Sequence, residues 1–152
     1  MKVVNMVVNR DLETVSVVTR FYEALAEGDS EAIGALVADS FATDVVLHLP
    51  PGLPYGGTVS GAPKLASMFT AVAAAPPVVG PVGPRIIAHA GDESVVFAEV
   101  RFDWAGTGDS GLRASSTATE KWVFNDGLVS EIVAYYWDPA ACPAPVRAER
   151  NA

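Results

Sequence analysis

Apolar residues keep different periods in the two halves of this chain, and that division restricts the fold more than any other feature. In the first half they recur every three or four residues. Leu12, Val15, Val18, Tyr22 and Leu25 form one stripe over residues 11–27, with Val17, Phe21 and Ala24 as a second. This spacing predicts a helix covered on two faces. Gly28 can end it, and Asp29 can cap a second helix from about Ser30 to Val37, with Ile33, Leu36 and Val37 on its apolar side. DVVLHL, Asp44 to Leu49, reads as a strand, and PPGLPYGG, residues 50–57, as a loop. A third helix starts near Pro63, a favoured first-turn residue. It buries Leu65, Met68, Phe69 and Val72 and stops at Pro76 and Pro77.

PPVVGPVGP, residues 76–84, is expected to be an irregular linker, and beyond it the period changes to two. The turn Gly91-Asp92 divides a first pair of strands. AGTGDSG then separates residues 95–104 from 112–124, and Asn125-Asp126-Gly127 is a strong hairpin signal before a last strand over 128–137. Residues 139–152 are Pro- and Ala-rich and are expected to be a flexible tail on a single domain spanning 1–138. Helices early and strands late imply an α+β domain. The expected architecture is a cone-shaped barrel of a curved, mainly antiparallel sheet wrapped around the N-terminal helices. Such a cone is a natural place for a small-molecule cavity.

A chain of 152 residues can bury roughly 70% of its unfolded surface, so a substantial core is available. The formal net charge of -8 argues against nucleic acid or an anionic membrane as partner, since either needs a basic face. With a lone Cys142, an internal disulfide is impossible. MKVVNMVVNRDLE has too short an apolar run for a signal peptide, so a cytoplasmic protein is expected. Two histidines without cysteine or acid spacing give no metal site, and no cofactor is expected.

One stretch resists a purely structural reading. In STATEKWVF, residues 116–124, strand alternation puts Glu120 on the same face as Ala118, Trp122 and Phe124. If that face is concave, Glu120 projects into an apolar cavity, where desolvation favours the neutral acid. It would then serve as hydrogen-bond donor or acid–base group. The alternative is a rim-exposed Glu120 paired with Arg101 or Lys121. His48 is a second catalytic candidate, although the phase of its short strand is open. On the last strand Ile132, Ala134 and Tyr136 share a face, and Tyr136 can donate inside the cavity or simply be a core aromatic. Asp138 ends that strand and stands either at the cavity mouth or on the surface. Tyr22 and Phe21 on the first helix, Met68 on the third, and Leu49, Tyr55 and Trp122 complete the substrate-binding candidates. Glu99, Arg101 and Asp103 alternate with Val100, Phe102 and Trp104, so the charged set belongs to the convex face.

VVTRFYEALAEGDSEAIGALVADSFATDVVLHLP resembles the start of the nuclear-transport-factor-2-like superfamily. LPYGGTVSGAPKLASMF and EKWVFNDGLVSEIVAYYWD are similar to segments of its SnoaL-like polyketide cyclase branch and of ketosteroid isomerases. The resemblance covers roughly residues 12–138. It implies a dimer through the convex sheet face. It also implies site positions. The isomerase tyrosine of the first helix falls on Phe21, beside Tyr22, and the late-strand acid falls on Glu120. The basic aspartate falls near Leu49, with His48 next to it, and the cyclase acid of the last strand falls close to Ala134.

The expected function is a cofactor-free cyclase or isomerase that closes a ring in a hydrophobic, polyketide-like substrate. It would work by acid–base assistance or by shape-driven pericyclic closure. The alternatives are an epoxide-hydrolase-like enzyme, for which Arg101 and Asp103 are the nearest polar set, and a non-catalytic ligand-binding or dimerisation module. GTGDSG, residues 106–111, matches a dinucleotide-loop pattern but precedes a strand-like run instead of a helix, and it reads better as a hairpin tip that could close over the cavity.

Overall fold

The computed structural model describes residues 12–53, 56–75, 80–105 and 113–139. Within these the order is α1 (Glu13–Glu27), α2 (Ser30–Ser40), β1 (Phe41–Leu49), β2 (Gly57–Ser60), α3 (Ala62–Ala74), β3 (Gly80–Gly91), β4 (Val95–Ala105), β5 (Arg113–Asn125) and β6 (Leu128–Tyr136). The hairpin tip at 106–111 and the tail from residue 140 lie outside the described residues.

Local chemistry sets the helix ends. Gly28 closes α1 in the left-handed region at φ 68°, and its N–H returns to the carbonyls of Ala24 and Leu25. A side chain there would be strained by that φ and would press on the Ala73 carbonyl of α3, so glycine also lets the two helices approach. The Asp29 carboxylate accepts from the Ala32 N–H at 2.9 Å and caps α2, as its position predicts. That helix runs three residues past Val37, and β1 begins directly at Phe41.

The six strands form one sheet in the order β2-β1-β6-β5-β4-β3. All neighbours are antiparallel except β1 and β6. The sheet is curved, but β2 and β3 remain as edges, so the expected cone is an open sheet and not a closed barrel. Asp126 at φ 50° and Gly127 at φ 79° make the tight β5–β6 turn, two successive positive φ values that match the twist of the strands.

Residues 80–84 depart from the linker reading. Despite Pro81 and Pro84 they belong to β3, whose register with β4 slips between Val82 and Arg85. Proline removes a ladder donor, which an edge strand with an irregular register tolerates. β3 is such an edge, and its N-terminal end lies against the cavity described below.

The core lies between the concave sheet face and the helices. Trp122 is fully buried at its centre, with ring centroids 5.2 Å from Phe21 and 5.9 Å from Phe41. Val100, Phe102 and Trp104 of β4 are buried, while Glu99 and Arg101 are exposed, as alternation requires. No helix among the described residues is long and apolar enough to cross a membrane.

Leu65 on α3 has no exposed surface. Leu65→Ala is expected to cost about 2–5 kcal/mol in urea unfolding. Ser67→Ala, on the exposed side of the same helix, should stay within about 0.5 kcal/mol.

Candidate functional site

A cavity of about 230 Å³ opens between the sheet and helices α1 and α3. Its walls are mostly apolar. α1 supplies Phe21, Tyr22 and Leu25, and α3 supplies Met68, Phe69 and Val72. The sheet contributes Leu47 and Leu49, Val100 and Phe102, Ala118 and Trp122, and Ile132. The polar groups among the lining residues are the carboxyl of Glu120, the hydroxyls of Tyr22 and Tyr136, and the Trp122 indole N–H.

Glu120 faces inward because it keeps phase with Ala118 and Trp122 on β5. Its cross-strand neighbours are Ala98 on β4 and Ala134 on β6, both buried. Two small side chains in that row leave width for a carboxyl group among aromatic rings. The carboxyl is anchored through one oxygen. Glu120 Oε2 accepts from the hydroxyl of Tyr22 and from Trp122 Nε1, the latter at 3.2 Å. Oε1 takes no hydrogen bond among the described residues and is not sealed from the cavity.

Burial pushes Glu120 above its ordinary 4.5, because the charged form loses water. The hydrogen bonds from Tyr22 and Trp122 stabilise the anion and pull the other way, but burial prevails. Tyr22 is held well above its usual 10.0, chiefly by burial and then by the charge and hydrogen bond of Glu120. Its hydroxyl therefore stays a donor. With the Tyr22 hydroxyl and Trp122 Nε1 donating to Oε2, a proton on Oε1 makes the neutral acid without displacing either bond. The group can donate a proton there when neutral and accept one when ionised.

Seven of the sequence-predicted site residues line this cavity: Glu120, Tyr136, Tyr22, Phe21, Leu49, Met68 and Trp122. His48 does not join them. Leu47 and Leu49 point inward, so alternation turns His48 to the opposite face. There its ring lies 3.2 Å from Thr58 Oγ1 and 3.4 Å from a Glu131 oxygen, with the Glu131 carboxylate also 4.0 Å from Lys121. Ala134 is buried beside Glu120 but contributes no wall, and Asp138 is exposed past the end of β6. Tyr55 lies outside the described residues. Arg101 and Asp103 stand on the outer face, Asp103 accepting from the Ser115 hydroxyl at 2.9 Å.

Sequence reasoning missed two features. Pro81 and Pro84 line the cavity although their stretch reads as a linker. Tyr22 reads as a ligand contact, whereas its hydroxyl holds the acid. A tyrosine one helical position from the resemblance-implied Phe21 was the available signal.

The sequence matches the family model described as SnoaL-like domain over residues 18–132. No curated protein matches the chain. Among solved structures, Bal32a from a soil-derived mobile gene cassette is similar at TM-score 0.68 and 18% identity, over 85% of this chain and 92% of that one. An LEH-like epoxide hydrolase of M. tuberculosis gives 0.59 and 18%, over 82% of each chain. TerC, co-crystallized with polyporic acid, gives 0.61 and 18%, over 85% of this chain and 95% of that one. At such identity these likenesses establish the fold alone.

The raised Glu120 sets a sign for stability. Below about pH 4.5 both folded and unfolded chains hold this proton. As pH rises, the unfolded chain releases it first, so folding loses stability until the raised folded value is passed. Glu120→Gln removes that loss. Urea unfolding is expected to show the variant's advantage over the parent growing as pH rises above about 4.5 and levelling once the raised folded value is passed. Tyr22→Phe deletes a donor to the anion and should move the Glu120 titration, followed by carboxyl NMR shifts, further upward.

Proposed function

The chain belongs to the SnoaL-like domain family, and from that premise we propose that it is a cofactor-independent enzyme that cyclises or isomerises a hydrophobic small molecule inside the cavity. The observation that carries this reading is Glu120, an acid held inside apolar walls with one oxygen anchored and the other open. Such a group can protonate a carbonyl oxygen or remove a proton beside it. Assistance of this kind is worth roughly 10² to 10⁴ in rate. The aromatic walls would fold a flexible, polyketide-like chain so that its reacting ends meet, the entropic part of the catalysis. Tyr22 and Trp122 act through Glu120 as positioning residues, and Tyr136 from β6 shares the cavity with it.

The hydrolase reading has less support. Opening an epoxide requires a water held by several polar groups. The described lining offers a single acid, and Arg101 and Asp103 are turned outward.

Ring closure of linear poly-β-ketone mimics and double-bond migration in β,γ-unsaturated ketones, followed by liquid chromatography and ultraviolet absorbance, test the proposal. Glu120→Gln is expected to lower turnover by roughly 10² to 10⁴. A loss of only a few-fold would instead favour shape-driven pericyclic closure. Tight binding of such compounds with no conversion of any would make the protein a binding module.

The proposed partner is a second copy of the chain, bound through the convex face. Tyr135 is 53% exposed and Phe97 46% exposed on that face, among Arg101, Lys121, Glu99 and Glu131. Aromatic groups set among both signs of charge suit a self-complementary interface. Light scattering is expected to give twice the 15.9 kDa chain mass. Tyr135→Lys combined with Phe97→Glu should give the monomer, and a monomeric parent protein would reject the dimer.

A further inference from the structure

Pro81 and Pro84 line the cavity together, although residues three positions apart on a strand normally face opposite ways. The register with β4 gives the reason. Pro81 stands opposite Trp104 and Val82 opposite Asp103, and the ladder resumes with Arg85 opposite Arg101. From Val82 to Arg85, β3 takes three steps while β4 takes two, from Asp103 to Arg101. One extra residue in one strand of a pair is a β-bulge. Gly83 lies within it at φ 61°, the left-handed conformation found in the glycine type of bulge. A Cβ on Gly83 would meet open space, so it is the backbone conformation and not crowding that calls for glycine.

The bulge re-aims the side chains on either side of it. Past Gly83, Pro84 and Ile86 alternate normally on the inner face, with Ile86 opposite Val100. Ahead of Gly83, Pro81 returns to that same face opposite Trp104, and Val82 shares the outer face with Asp103. Without the extra residue, one of the two prolines would point away from the cavity. Both rings stand far from Glu120. The acid pairs with Ala98 of β4, whereas Phe102, the residue opposite the bulge, is four positions further along. At about 3.4 Å per residue the offset along the strands is about 13 Å. The prolines therefore stand at the end of the cavity away from the acid. Each is an apolar ring with a fixed φ, which makes that end stiff.

We propose that the Gly83 bulge determines the specificity of the cavity: by bringing Pro81 and Pro84 to one face it builds a stiff, apolar end wall that limits how far the hydrocarbon part of a ligand can extend from Glu120. This rests on the reading of the cavity as a ligand site, and it concerns the far end of that site, not the chemistry at the acid.

Calorimetric titration of the full chain with alkylbenzenes of increasing length, from ethylbenzene to hexylbenzene, tests this. Affinity is expected to rise about fourfold with each methylene buried, the transfer value of that group, until the molecule meets the wall, and then to stop rising. Pro81→Ala combined with Pro84→Ala is expected to move that break at least one methylene further. The first compound on which the parent gains nothing should then gain about fourfold in the variant. Val82→Ala shortens the neighbouring side chain on the outer face and should leave the break where it is. Gly83→Asn tolerates the left-handed conformation and should keep the parent's break, whereas Gly83→Val does not tolerate it and should shift the break. Should Gly83→Val fail to fold, the proline pair, which keeps Gly83, carries the test. An unmoved break in the proline variant, an equal shift in Val82→Ala, or a parent that shows no length limit or binds no alkylbenzene would overturn the proposal. The two readings fail separately. If the parent converts the ketones named above while the break ignores the prolines, only the end wall is wrong. If the prolines set the break while no ketone is converted, only the catalytic reading is wrong.

Discussion

A carboxyl group inside an aromatic cavity is the constraint around which this structure is arranged. Ionised and alone in such surroundings it would be too unfavourable to keep, so it must hold its proton or find donors. Glu120 does both. Tyr22 reaches it from a helix 98 positions earlier in the chain, and Trp122 reaches it from two positions along the same strand. These contacts tie α1 to the middle of the sheet through a polar bond, while the same Trp122 ring packs on Phe21 and Phe41. The fold's central aromatic therefore also orients the acid. Removing Trp122 would disturb packing and chemistry together, whereas Tyr22→Phe separates the two by taking one hydroxyl and leaving the ring.

Much of this was legible in the sequence where a period or a cap dictates the answer. The stripes of α1, the Gly28–Asp29 junction and the Asn125-Asp126-Gly127 turn each have a local cause, and each forms where local chemistry puts it. The α+β class followed from their order. The face that Glu120 shares with Ala118, Trp122 and Phe124 was legible because β5 is long enough for alternation to show it, but that this face is the concave one was settled only by the packing of the helices on the sheet. His48 was not legible, because DVVLHL is too short to fix a phase. Its outward direction is settled by β1 pairing with β2 and β6, contacts distant in sequence. The stretch around Pro81 and Pro84 misled for a related reason. Proline argues against a central strand, and only the sheet order makes β3 an edge where it is tolerated.

The bond between Tyr22 and Glu120 was beyond sequence reasoning in a different way. The helix period puts Tyr22 on a buried stripe, but burial does not reveal what a hydroxyl meets. The resemblance pointed to Phe21, whose ring lies 5.2 Å from that of Tyr22, so the family position and the working hydroxyl differ by one residue. A step of one residue on a helix is a rotation of about 100°. That rotation brings the Tyr22 hydroxyl onto the acid, so in the free protein it serves the carboxyl and not a ligand. Fold likeness cannot reveal such a change. An LEH-like epoxide hydrolase and TerC share this architecture at 18% identity, so the chemistry must be read from the few polar atoms inside.

Those atoms are set against each other. Burial holds the proton on Glu120, while two donors on Oε2 favour its departure. A group under only the first influence would be a fixed donor, and one under only the second an ordinary carboxylate. Under both, and on the proposed reading, an anion formed if Glu120 gives its proton to a substrate oxygen would already be solvated by Tyr22 and Trp122, with no rearrangement needed. The same donors would hold that anion until a proton returned to it from the substrate. Only Oε1 is open, so the proton must leave and return at one place, and the substrate must offer both its positions to that single oxygen. On the proposed reading, this favours a compact substrate whose acceptor and acidic carbon are neighbours, a geometry that a carbonyl and its α-carbon provide.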